Sequence, residues 1–161
     1  MTTRLPDAPA PGTDPTAIDP VATDLERIAV GAVGLTTRAL AETDAGFELT
    51  LSQWRALLVL GERPDGARIG EVAGRVGVTL PATSRLLRRL ERRGLTTLAV
   101  DEQDRRATRA RLTDHGDAVR SAILARRRSV LREVARAIPE RDRESMAAGL
   151  RAIATELERF A

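Results

Sequence analysis

The stretch IGEVAGRVGVTLPATSRLLRRLERRGL, residues 69–95, decides how the chain folds. It holds two short apolar-periodic runs, Ile69–Val76 and Leu80–Arg92, joined by Gly77-Val78-Thr79. Gly77 offers the positive φ that a tight turn needs. Thr79 is placed to cap the second run, and Pro81 sits in its first turn, where a missing N–H costs nothing. Gly94 then ends the run as a C-terminal cap. Two short helices around a glycine turn predict a helix-turn-helix. With residues set about 100° apart on the second helix, Thr83, Leu86, Leu87 and Leu90 share the buried face. Pro81, Arg85, Arg88 and Arg92 share the outer one, with Ser84 and Arg89 at its margins.

Downstream, Leu95–Val100 and Ala107–Leu112 read as two short strands around Asp101–Arg106. In the second, Thr108, Ala110 and Leu112 alternate with Arg109 and Arg111, so a β-hairpin with a charged tip is expected. Upstream, Leu51–Leu60 reads as a strongly apolar helix with Ser52 as its expected N-cap, stopped by Gly61 and Pro64-Asp65-Gly66. Trp54 on it is most simply a core anchor. A long helix from Val21 to about Glu42 carries Leu25, Ile28, Ala32, Leu35 and Ala39 on one stripe, and Asp44-Ala45-Gly46 breaks it. Thr113 caps a helix to about Ala137, with Val119, Ile123, Val130 and Val134 facing inward. Pro139 breaks that helix, and a last one runs over about Glu140–Phe160. Residues 1–20 hold five of the eight prolines and read as a disordered arm.

Composition narrows the function. A chain of 161 residues, 42% hydrophobic and 30% charged, can bury a core. Without cysteine there is no disulfide, thiolate metal site or thiol sensor. One histidine, His115, and no tyrosine leave little for nucleophilic or imidazole chemistry. No carboxylate pair, nucleophile–base set or phosphate-cradling glycine loop occurs at a usable spacing, so no enzyme, cofactor or metal is expected. No apolar run approaches the ~18 residues of a membrane helix, and Met1–Pro20 lacks a signal core, so a cytoplasmic protein without a membrane partner is expected.

The net charge is +3, and all 26 basic residues are arginine. Residues 1–44 carry 3 arginines against 7 acids, whereas residues 68–111 carry 11 against 5. A basic block in a near-neutral chain is an electrostatic footprint for a polyanion, and arginine's planar fork suits phosphates and guanine edges. The candidate DNA-contacting residues are therefore Thr79, Pro81, Ser84, Arg85, Arg88 and Arg89 on the second helix. Arg105, Arg106 and Arg109 join them from the hairpin, with Asp104 expected to orient a neighbouring arginine by a charge-assisted hydrogen bond. Tip arginines suit an adjacent minor groove. A helical interaction module whose basic face docks an acidic protein is the alternative.

LTLSQWRALLVL (49–60), the 69–95 stretch and DEQDRRATRARLTDHG (101–116) together resemble the MarR (multiple antibiotic resistance regulator) family of winged helix-turn-helix repressors. The resemblance rests on Ser84-Arg85, on Leu90-Glu91-Arg92-Arg93-Gly94-Leu95, and on Asp104-Arg105-Arg106 followed by Leu112-Thr113-Asp114-His115-Gly116. It implies a mainly α fold with a small β-hairpin wing. The winged helix-turn-helix would span about 46–113, between dimerisation helices at about 21–43 and 114–160. It further implies a homodimer on double-stranded DNA with a pseudo-palindromic operator, its recognition helices about one duplex turn (~34 Å) apart. Many relatives respond to aromatic acids held in a cleft, for which Trp54 and Arg55 are the candidate lining here.

Overall fold

The computed structural model describes residues 19–43 and 48–159. The chain divides into one unit over Gly34–Ser129 and a second made of Met1–Val33 with Val130–Ala161. Most of the proline-rich arm, the Asp44-Ala45-Gly46 break and Phe160 lie outside the described residues. In chain order the elements are α1 (Pro20–Glu42), α2 (Leu51–Gly61), β1 (Ala67–Arg68), α3 (Ile69–Val76), α4 (Leu80–Arg92), β2 (Thr96–Val100), β3 (Thr108–Leu112), α5 (Asp114–Arg136) and α6 (Glu140–Glu158). The fold is mainly helical with a small antiparallel sheet, a winged helix-turn-helix with long helices before and after it.

The boundaries of α3 and α4 are those the apolar periodicity predicts. Gly77 has φ 75° and its N–H reaches the Ala73 carbonyl at 3.0 Å, closing α3. Gly94, at φ 69°, closes α4. Its N–H reaches Glu91 O at 2.8 Å and the Leu95 N–H reaches Leu90 O at 3.0 Å, the pair of bonds that satisfies the last helical carbonyls.

Two caps differ from expectation. Thr50, not Ser52, caps α2: its Oγ1 accepts the Gln53 N–H at 3.3 Å, while Gln53 Oε1 accepts the Thr50 N–H at 3.0 Å. This reciprocal pair settles two amides at once and outcompetes a cap two residues later. Thr79 stands at the N-cap of α4 but its side chain makes no cap bond. Its carbonyl instead accepts both the N–H and the Oγ1–H of Thr83, at 2.9 and 3.0 Å.

The expected hairpin is a three-stranded sheet in the order β1-β3-β2. β1 is two residues long and pairs Ala67 with Ala110 and Arg68 with Arg109. β2 and β3 run from Thr96↔Leu112 to Val100↔Thr108.

The core lies within the Gly34–Ser129 unit. Trp54, Leu57 and Leu60 of α2 pack with Val72, Val76, Leu87, Leu90, Leu95, Ala110 and Ile123. Thr113 Oγ1 accepts the Gly116 N–H at 2.9 Å and starts α5, whose Val119 and Ile123 are buried as expected. Val134, also expected inward, is 60% exposed, because the core ends a turn or more before it. α6 buries no residue at all.

Candidate nucleic-acid interface

Helix α4 is amphipathic in the sense its sequence dictates. Thr83, Leu87 and Leu90 are fully buried and Leu86 is partly so, which anchors the rod on α2, α3 and the sheet. Pro81, Arg85, Arg88, Arg89 and Arg92 are exposed, with Ser84 half-buried at the edge of their face. No hydrogen bond or ion pair engages the Arg85, Arg88, Arg89 or Arg92 side chains among the described residues. The helix's one acid, Glu91, does not neutralise them, since its Oε1 accepts the Leu98 N–H at 3.0 Å. Arg85 and Arg89 also rim a shallow groove of about 340 Å³ shared with Thr50, Ser52 and Gln53 at the start of α2.

The wing is organised by a residue that sequence reasoning passed over. Asp101, at the end of β2, is 1% exposed. Its Oδ2 accepts from Arg68 Nε at 3.1 Å and from Arg109 Nε and Nη2 at 2.9 and 2.8 Å. Its Oδ1 accepts from Arg68 Nη2 at 3.2 Å and from the Gln103 and Asp104 N–H groups at 2.9 and 3.1 Å. The Arg68 hydrogen bond chiefly, with the turn amides and Arg109, outweighs desolvation and holds this carboxyl well below the usual carboxylate range. It is therefore an anion under all ordinary conditions. Arg68 also gives its backbone N–H to Glu71 Oε2 at 2.8 Å, so one residue ties the start of α3 to the root of the wing.

Asp101 takes over the orienting role expected of Asp104. Asp104 is exposed, and its Oδ1 accepts the Arg106 backbone N–H at 3.0 Å; it shapes the turn, as an aspartate two residues before an amide readily does. Arg109 is likewise an internal brace. Besides Asp101, it reaches the Gly66 carbonyl through Nη1 at 3.0 Å, because β3 alternation aims it across β1 and not at solvent. Arg105 and Arg106 are exposed at the tip, and no ion pair holds their guanidiniums among the described residues.

Of the two residues expected to line an effector cleft, one is buried and one is exposed. Trp54 is 1% exposed inside the core, which leaves no free ring face for a ligand. Arg55 is exposed, with Nη2 on the Arg75 carbonyl at 2.9 Å, so it ties α2 to the end of α3.

A capped helix with an arginine outer face, beside a braced wing with arginines at its tip, defines the class: a winged helix-turn-helix DNA-binding protein. Residues 47–107 match the model of the MarR family. Solved structures agree in fold over most of the chain. A MarR family transcriptional regulator from Rhodococcus sp. RHA1 is 25% identical with a TM-score of 0.64, covering 83% of this chain and 91% of that one. A mutant of S. aureus MepR bound to an oligodeoxyribonucleotide is 25% identical at a TM-score of 0.62, covering 87% and 99%. MepR has also been solved bound to ethidium bromide, at 26% identity and a TM-score of 0.58, covering 84% and 95%. S. pneumoniae FabT in complex with DNA is 20% identical at a TM-score of 0.73, covering 88% and 97%. Over residues 47–107 the chain is thus similar to the MarR family, and its fold is that of the family's winged-helix DNA-binding transcription regulators.

Proposed function

We propose that the protein is a homodimeric repressor that reads a pseudo-palindromic operator and is released by a small organic effector. The observation that carries this reading is the contrast among its arginines. Arg68 and Arg109 are locked onto a buried carboxylate, whereas Arg85, Arg88, Arg89, Arg92, Arg105 and Arg106 stand on exposed surface without acid partners among the described residues. Unpaired guanidiniums on the outer face of a leucine-anchored helix suit base edges and phosphates in a major groove. Those at a polar wing tip suit the negative potential of a neighbouring minor groove.

Pairing of two chains is supported by the terminal helices. Val21, Ile28, Val30 and Val33 of α1 are 53–69% exposed, and Leu131, Val134, Met146, Leu150 and Leu157 of α5 and α6 are 45–61% exposed. Apolar stripes of that extent call for a cover, and a two-fold axis buries the same stripes on both copies. An effector that prefers a spacing of recognition helices unsuited to one duplex turn would weaken DNA binding through a coupling of about 1–3 kcal/mol. The MepR–ethidium complex supports an organic ligand, and the burial of Trp54 speaks against a site built on that ring.

The test is a gel shift on DNA from the protein's own promoter. A complex that survives excess nonspecific competitor is expected. Complete loss to competitor of any sequence, or selective retention of an acidic protein instead, would refute the reading.

A further inference from the structure

Granting that α4 enters the major groove, as just proposed, we infer that specificity is carried by guanine: Arg85 and Arg88 read two neighbouring G·C pairs in each half-site. Amide side chains read adenine, carboxylates read cytosine, and arginine reads the O6 and N7 of guanine. Residues 80–92 contain no asparagine, glutamine, lysine or aspartate. The whole chain has no asparagine and only two glutamines. Gln53 is 5% exposed and engaged in the α2 capping box, and Gln103 sits on the wing turn. Glu91 holds the Leu98 amide, so it is not offered to cytosine. Ser84 bonds to any base, and Pro81 gives only an apolar surface suited to a thymine methyl. Arginine is the one discriminating reader left on this face.

Placement then chooses among the four arginines. Arg85 and Arg88 lie on the centre of the exposed face, about 4.5 Å apart along the axis at 1.5 Å per residue. That is close to the ~3.4 Å step between bases, so the two address adjacent pairs. Arg89 lies at the margin of that face and, like Arg85, rims the groove at the start of α2. Arg92 lies about 10 Å beyond Arg85, where a helix entering by its N-terminal end is leaving the groove. These two are placed for phosphates. Preference for A·T pairs then arises from minor-groove shape beneath Arg105 and Arg106, with a thymine-methyl contact at Pro81 as the one major-groove source.

The experiment is selection of duplexes from a random pool with the full-length protein, followed by base analogues in the selected site. Enriched half-sites are expected to hold a fixed pair of neighbouring G·C pairs. Replacing either guanine with 7-deazaguanine, which lacks N7, should weaken the parent by roughly fivefold or more. Hypoxanthine, which keeps O6 and N7, should not. Arg85→Ala should lose the 7-deazaguanine effect at one position and Arg88→Ala at the other. Selected sites without fixed G·C pairs, or sites that tolerate 7-deazaguanine throughout but not 7-deazaadenine, would overturn the inference and leave the DNA-binding reading standing. A pool with no enrichment would overturn both.

Discussion

Removing the two tip arginines should change how DNA binding responds to salt by an amount that can be worked out beforehand. Arg105 and Arg106 are exposed and have no side-chain partner among the described residues, while the turn beneath them is held by Asp101 and Asp104. Arg105→Ala/Arg106→Ala therefore removes charge without removing structure, and thermal unfolding should match the parent. The proposed dimer would lose four guanidiniums. If all four neutralise phosphates, the slope of log K against log salt becomes shallower by about 3.6, at ~0.9 per contact. Over a rise from about 50 to 200 mM salt, the parent should then lose about 150-fold more affinity than the variant. With one phosphate contact per wing, the slope changes by about 1.8 and the excess loss is about twelvefold. Fluorescence anisotropy of a labelled operator duplex at five salt concentrations reads the slope directly. Parallel lines for parent and variant would refute the placement of the wing on DNA.

Four further substitutions have outcomes set by the packing. Asp101→Asn should loosen the wing, lowering the salt slope although no contact residue has changed. Because the Asp101 carboxyl titrates below its ordinary range when folded, the stability it adds is fully present above that range and drains away as pH falls below it. Proton uptake on unfolding in acid should accordingly fall by up to about one in Asp101→Asn; equal uptake in both proteins would contradict the assignment. Leu87→Ala, at a site with no exposure, should cost about 2–5 kcal/mol in urea unfolding, and a loss under ~1 kcal/mol would mean α4 is not anchored as described. In Gly77→Ala the new Cβ meets only Arg55 Nη1, at an ordinary 3.9 Å, but the residue keeps a positive φ, so a loss of about 1–2 kcal/mol is expected. Gly116→Ala should cost more, since its new Cβ would collide with the Leu95 carbonyl; the reverse order in thermal melts would refute this.

Local signals carried the helix-turn-helix and missed what depends on distance. The α3 and α4 boundaries, Gly77 and Gly94 were legible because caps and periodicity act within a few residues. Gln53 three places after Thr50 was an equally local sign of the true α2 cap, and the reading of Ser52 passed over it. β1 could not be read: two residues show no alternation, and its pairing with β3 joins positions over forty apart. The Asp101 hub was hidden for the same reason, since Arg68 lies 33 residues away, and alternation alone aimed Arg109 outward without revealing the carboxylate waiting there. The stripe through Val130 and Val134 was visible as a stripe; the exposure of Val134 was not, because periodicity marks a face and not what covers it.

The central claim is that the outer face of α4 selects DNA sequence. Its most direct test is the ratio of affinities for a selected operator and a scrambled duplex of equal length, at one salt concentration, for the parent and for Arg85→Ala/Arg88→Ala. A folded variant whose ratio collapses toward one, while weak scrambled-duplex binding persists, is the predicted result. A variant that keeps the parental ratio would contradict the account.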